Sequence, residues 1–218
     1  MHGERIAQGS QFEQEVMQDP EFTFQLGKHL GSLHLQNKSY YGTLEQNKQS
    51  LDTFPHKLSR VIAQLGKTRK ALQDPAVQKL LPFYVAEADK LNLPKASGLI
   101  MLDFWPSQFL AIDNELSACI DVESYVVGPT ALELTLIELW LGPLDKFKEG
   151  YFSVNRQWPD EIEEAREVYR FFLYLLYGCP EAGLDACIYS SAKFAQGDRV
   201  KARLTAPRLR PPGYPGRK

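Results

Sequence analysis

One stretch, Gly98 to Glu123 (GLIMLDFWPSQFLAIDNELSACIDVE), differs in pattern from the rest of the chain and most restricts what it can fold into. Elsewhere, apolar residues recur at three- and four-residue spacing, as in helices packed by one face. Here two short apolar runs, Leu99–Leu102 and Phe109–Ile112, flank a loop carrying Asp103, Trp105, Pro106, Ser107 and Gln108. A polar turn, Asp113-Asn114-Glu115, leads into a third run, Ala118–Ile120, which ends on Asp121. Short β-type segments bounded by turn residues predict a hairpin. The fold expected is therefore mainly α with a small β-hairpin. This pattern sets Asp103 and Asp121 at the mouth of the same hairpin, with Gln108 between them. A carboxylate, an amide and a second carboxylate suit a hard cation and phosphate chemistry.

The helical segments announce their ends. Asp19 is placed to cap a helix whose first residue is Pro20, and Phe22, Leu26, Leu30 and Leu33 line its apolar side. His34, at the end of that helix, is expected to be a core or capping histidine. Asn37 to Thr53 reads as irregular, with a turn at Tyr40-Tyr41-Gly42. Leu58, Val61, Ile62, Leu65 and Leu72 form the next apolar stripe, and the basic run Lys67, Arg69, Lys70 reads as its solvated face. Asp74-Pro75 starts a helix through Val77, Leu80, Tyr84 and Ala88 that ends near Asn92. Val122–Thr130 is expected to be a loop. Ala131–Leu141 is apolar almost all round apart from Glu133 and Glu138, which predicts a buried helix. Trp158-Pro159-Asp160 opens a long amphipathic helix lined by Ile162, Ala165, Val168, Tyr169, Phe172, Leu173 and Leu176, behind an acidic first turn.

Composition excludes several functions. With 44% hydrophobic and 24% charged residues, the 218-residue chain has the make-up of a globular domain. No apolar run approaches the roughly 18 residues of a membrane helix, so no membrane partner is expected. No hydrophobic signal segment opens the sequence, and a cytoplasmic protein with reduced cysteines (Cys119, Cys179, Cys187) is expected. The four histidines lack metal-ligand spacing. From Asp198 onward there are seven Lys or Arg against one acid, so the remaining chain holds 18 basic (25 − 7) and 26 acidic (27 − 1) residues, a balance of −8. An acidic body does not suit nucleic acid, whose binding rests on phosphate neutralisation.

The 98–123 stretch resembles the catalytic loop and metal-binding segment of the aminoglycoside phosphotransferase and choline kinase-like branch of the protein-kinase-like fold. That branch reads as two apolar residues, His-Gly-Asp, Leu-His-Pro-Gly-Asn, a short strand, a turn and an Ile-Asp-Trp-Glu-like end. Asp103, Pro106, the hairpin length and Asp121 match, whereas Met101-Leu102 stands where His-Gly is usual and Gln108 where Asn is usual. Three further segments are similar to parts of the same family. FQLGKHLGSLH matches a helix reading Leu-Gly-x-x-Leu-Ala-x-Leu-His, Gly128–Leu134 matches a Gly-Asp-Pro-x-x-Asp-Leu helix start, and LDKFKEGYFSVN matches a Phe-x-x-Gly-Tyr stretch.

The resemblance runs over residues 1–178 and implies the C-terminal lobe of that fold with the N-terminal β-lobe absent, Met1-His2-Gly3-Glu4 being similar to the end of a hinge. The organisation it implies is a lead-in or hinge remnant (1–20), the kinase-like lobe (21–192) and a basic Pro/Gly-rich tail (193–218). It further implies Asp103 as the catalytic residue, Gln108 and Asp121 as Mg²⁺ ligands, ATP as phosphoryl donor and a small-molecule hydroxyl as acceptor. A separate N-lobe or a partner protein would complete the site. Glu133 has two readings: favoured at a helix N-terminus by the dipole, or anchoring the loop that carries Asp103, as its family counterpart does. Two other functions stay open at this point, a catalytically inactive binding or regulatory module and an unrelated helical interaction protein.

Overall fold

The computed structural model describes residues 4–5, 18–43, 48–92, 97–102, 108–112, 115–119, 125–141, 144–177, 184 and 187–188. In chain order these form β1 (Glu4–Arg5), α1 (Pro20–His34), β2 (Tyr40–Tyr41), β3 (Gln49–Ser50), a short 3-10 turn (Leu51–Thr53), α2 (Phe54–Leu65), α3 (Arg69–Leu72) and α4 (Pro75–Asp89). They continue with β4 (Ser97–Met101), β5 (Phe109–Ile112), β6 (Glu115–Cys119), β7 (Tyr125–Pro129), α5 (Thr130–Trp140), α6 (Leu144–Val154) and α7 (Ile162–Tyr177). The chain is mainly helical with small antiparallel sheets. It divides into two compact units, Met1–Phe54 with Leu93–Glu163, and Pro55–Asn92 with Glu164–Lys218.

The first unit is built on α1 and α6. Asp19 Oδ1 accepts from Phe22 N at 2.8 Å, and Pro20 sits where the helix needs no N–H, so α1 starts as expected. The two helices run side by side in the same direction, in contact through glycines. A Cβ on Gly150 would meet the Phe24 carbonyl, its carbon at 2.8 Å, and one on Gly27 would meet Tyr151 N at 2.9 Å and the Phe147 carbonyl oxygen. Only hydrogen at these positions lets the backbones approach so closely. Leu26, Leu30, Phe147 and Tyr151 are buried around this contact.

The predicted hairpin exists as β5–β6, with Phe109 opposite Cys119 and Ile112 opposite Glu115, and β1 extends it beside β5. The Leu99–Leu102 run does not join it. β4 pairs instead with β7, from Ser97 opposite Pro129 to Met101 opposite Tyr125. Val122–Thr130, expected to be a loop, therefore contains a strand. Pro129 is tolerated there because it ends the ladder, where a missing N–H costs least. Residues 37–53, expected to be irregular, hold the β2–β3 ribbon. Gly42, at φ 124°, leaves that ribbon in a conformation other residues rarely adopt and exchanges hydrogen bonds with Val127 in both directions, at 2.9 and 2.7 Å. Residues 130–138 of α5 are all buried, as its all-round apolar sequence requires.

The second unit packs α2, α4 and most of α7. Asp74 Oδ1 caps α4, accepting from Ala76 N at 2.9 Å and Val77 N at 3.3 Å, and its Oδ2 accepts from the Tyr174 hydroxyl at 3.3 Å. Tyr84 and Phe171 stack at 4.5 Å between ring centroids in a core with Ile62, Leu80 and Leu173. Two residues assigned to apolar stripes are exposed: Leu72 (58%) ends the single-turn α3, and Leu176 (41%) lies in the last turn of α7.

Candidate functional site

Of the three positions singled out above, Gln108 lies within the described residues, whereas Asp103 and Asp121 lie outside them. The residues bordering those two positions meet in one place. Met101, two positions before Asp103, is the register partner of Tyr125, four after Asp121. Phe109, directly after Gln108, is the register partner of Cys119, two before Asp121. Side chains close the circuit. The Cys119 thiol and the Tyr125 hydroxyl both lie against His29 Nε2 of α1, at 3.3 and 3.4 Å. Four strand ends, two from each small sheet, are thus tied together where the chain leaves for residues 103 and 121.

Gln108 is buried (6% exposed), and its Oε1 has no hydrogen-bond partner among the described residues. A buried acceptor left unmade costs about 1–3 kcal/mol. A carbonyl oxygen with both lone pairs unused is the kind of ligand that Mg²⁺ takes, so this side chain fits the cation role expected of it.

Glu133 distinguishes between its two readings. It stands in the first turn of α5, 1% exposed, and its Oε1 accepts from the backbone N–H of Met101 at 2.5 Å. Its Oε2 lies 2.7 Å from Nε2 of His34, itself 2% exposed. His34 Nδ1 lies 3.0 Å from the Tyr151 hydroxyl, which also accepts from Asn155 Nδ2 at 3.2 Å. The tautomer that satisfies every partner carries its proton on Nε2 and accepts at Nδ1. Each donor in this chain then points toward the carboxylate. Glu133 therefore anchors the end of β4, the strand that leads to Asp103, and has favourable dipole placement as well. Gly98 makes the approach possible, since a Cβ there would stand 2.9 Å from His34 Cα. His34 is a buried core residue at a helix end, as expected. Burial, and then the charge of Glu133, pushes the Tyr151 hydroxyl well above the usual tyrosine range.

The His29–Cys119–Tyr125 cluster was not foreseen. Its members lie 90 and 96 residues apart in sequence, so no local spacing announces them. Burial lowers His29. Burial, opposed by the Tyr125 hydrogen bond and reinforced by the charge of Glu133, raises the Cys119 thiol. Burial first, then Cys119 and Glu133, raises Tyr125.

No family model matches the sequence, and no curated protein matches it. Among solved structures, macrolide 2'-phosphotransferase MphH from Brachybacterium faecium, in its apoenzyme form, is similar at a TM-score of 0.48 and 18% sequence identity. The match covers 81% of this chain and 62% of that one, so this chain spans less than two thirds of that enzyme's length. A likeness at that level fixes neither fold nor activity. Among the described residues, no helix is long and apolar enough to cross a membrane.

Proposed function

We propose that this chain carries the catalytic loop and metal-binding segment of a kinase-like phosphotransferase of the aminoglycoside phosphotransferase type. The observation that carries this reading is the meeting, through His29, of the four strand ends that border residues 103, 108 and 121. An accidental sequence match would not be expected to bring both halves of the motif to one place. The buried, unpartnered Gln108 oxygen at the same place adds to it.

In this proposal Asp103 orients the acceptor hydroxyl and takes up its proton, while Asp121 and Gln108 hold the Mg²⁺ that accompanies ATP. Mg²⁺, when bound, neutralises charge on the phosphoryl group in transfer. Glu133 and His34 are positioning residues: by holding Met101 N they fix where the chain enters the Asp103 loop. Gln108 presents the same carbonyl oxygen as the family's Asn, on a stem one methylene longer. The acceptor is a small molecule bearing a hydroxyl, and an acidic body favours a cationic one. A separate N-lobe or partner protein contributes the remaining contacts to the nucleotide.

Calorimetric titration of Mg·ATP into the full chain, alone and with the completing lobe or partner, tests this. Magnesium-dependent heat that disappears in Asp121→Asn supports it, and no heat in any combination refutes it. Gln108 and Met101-Leu102, which depart from the family pattern, favour a second reading as an inactive binding module. That reading predicts the same fold with no nucleotide heat at all.

A further inference from the structure

We propose that the cavity where the ends of α1 and α6 meet the segment before α7 binds a small molecule bearing a guanidinium group. The cavity, of about 190 Å³, lies wholly within the first unit and is lined by His34, Thr130, Tyr151 and the segment 157–161, among others. Glu161 is the residue that points to a ligand. It is 6% exposed, and neither of its carboxylate oxygens has a hydrogen-bond partner among the described residues. Buried charges in proteins are paired, so a buried carboxylate with both oxygens unused, on the wall of a cavity, calls for a cation. Asp160, exposed, adds a second carboxylate to the lining, and no described Lys or Arg belongs to it. Lys148 lies over the Trp158 ring, 5.9 Å from its centroid, and the acids whose charge reaches it are Asp145, Glu138 and Glu163, not Glu161.

The lining selects the cation. No group of three His, Cys, Asp or Glu among the described residues could hold a metal ion, which leaves an organic cation. A guanidinium presents two parallel N–H groups to the two oxygens of one carboxylate, a match that a compact ammonium does not make. Its flat face stacks on aromatic rings, and the lining supplies Trp158 and Tyr151, an edge-to-face pair with centroids 5.2 Å apart. Asn37 and Gln157, both exposed, offer amide oxygens to the remaining N–H groups. A cavity of about 150 Å³ holds benzene, so 190 Å³ takes a guanidinium with a short alkyl stem. This site is separate from that of Gln108 and does not depend on the phosphotransferase reading. Thr130, in its wall, follows Pro129 at one end of the β4–β7 ladder, whereas the chain meets residues 103 and 121 beyond the Met101–Tyr125 end. His34 and Tyr151 also carry the hydrogen bonds that lead to Glu133 and Met101, so an occupant rests against the support of β4.

Titrating methylguanidinium into the full chain, followed by amide and indole NMR shifts, tests the assignment. The expected result is saturable binding at a single site, with the largest shifts at the Trp158 indole N–H, the Gln157 side-chain amide and the Glu161 backbone N–H. Methylurea, a neutral molecule of the same shape, should bind about tenfold more weakly or worse, having lost the charge-assisted pair. Glu161→Gln should weaken methylguanidinium to the same degree. Glu163→Gln, in the first turn of α7 but outside the lining, should leave its affinity unchanged. Should Glu161→Gln fail to fold, the methylurea comparison on the unaltered chain decides. Shifts scattered over the surface without saturation overturn the proposal, as does methylurea or methylammonium binding as tightly as methylguanidinium. So does an affinity that survives in Glu161→Gln. An acetylated Arg-Gly peptide that shifts these residues where methylguanidinium does not also overturns it, because the guanidinium would then come from a protein and not from a small molecule.

Discussion

Replacing Glu133 removes the acceptor for two buried donors at once. In Glu133→Ala the Met101 N–H, held at 2.5 Å, and the His34 Nε2–H, held at 2.7 Å, are both left without a partner in the interior. Each orphaned group costs about 1–3 kcal/mol, so about 4 kcal/mol is expected for the two. Glu133→Gln keeps the shape. Its amide oxygen still accepts from Met101, and its amide N–H₂ faces His34, which must take the other tautomer. Two charge-assisted bonds become neutral ones, at about 1 kcal/mol each, so about 2 kcal/mol is lost. For a chain of this size each kcal/mol lowers Tm by about 2–4 °C, so the expected drops are about 4–8 °C for Gln and about 8–16 °C for Ala. Amide hydrogen exchange at Met101 localises the effect. The loss in Glu133→Ala corresponds to roughly a thousandfold less protection there, at about 1.4 kcal/mol per tenfold. A loss below about 1 kcal/mol in Glu133→Ala, or unchanged protection at Met101, would show that the carboxylate does not hold the strand end.

Other perturbations have distinct signs. Gly150→Ala forces a Cβ into the Phe24 carbonyl, a backbone group that cannot turn aside, and should cost about 3 kcal/mol or more by urea unfolding. Gly66→Ala meets only the flexible end of Leu81 and should cost less. Asp74→Ala removes the α4 cap and should destabilise by about 1–2 kcal/mol in the same assay, whereas Asp74→Asn should recover most of it. Burial lowers His29, so near and below pH 6.5 the unfolded chain binds more protons than the folded one. This contribution is fully present above pH 6.5 and is lost as pH falls through the folded value. His29→Gln should flatten the acid side of the stability profile.

Local chemistry made much of the fold legible. Asp19-Pro20, Asp74-Pro75 and Trp158-Pro159-Asp160 pair a turn or capping residue with a proline where a helix begins, and α1, α4 and α7 start at or just after them. The β5–β6 hairpin followed from its short apolar runs and polar turn. What stayed hidden depends on long-range pairing. The Tyr125–Pro129 strand ends in Gly-Pro, a turn composition, and becomes a strand only because β4 lies beside it. Leu72 fits a helical stripe, yet the helix it would extend breaks at Gly66–Thr68 and leaves it in solvent. At the candidate site, the family pattern drew attention to Gln108 and to the anchoring role of Glu133. The Cys119–His29 contact joins residues whose neighbours carry no shared pattern, and only the folded chain reveals it.

Manganese binding, followed by water-proton relaxation in the full chain, tests most directly whether the strand ends brought together by β4–β7 and β5–β6 build a cation site. If the oxygens of Gln108 and Asp121 share one ion, Asp121→Asn and Gln108→Ala should each weaken Mn²⁺ binding by about tenfold or more. Mn²⁺ affinity indifferent to both substitutions would contradict the convergence and, with it, the phosphotransferase reading.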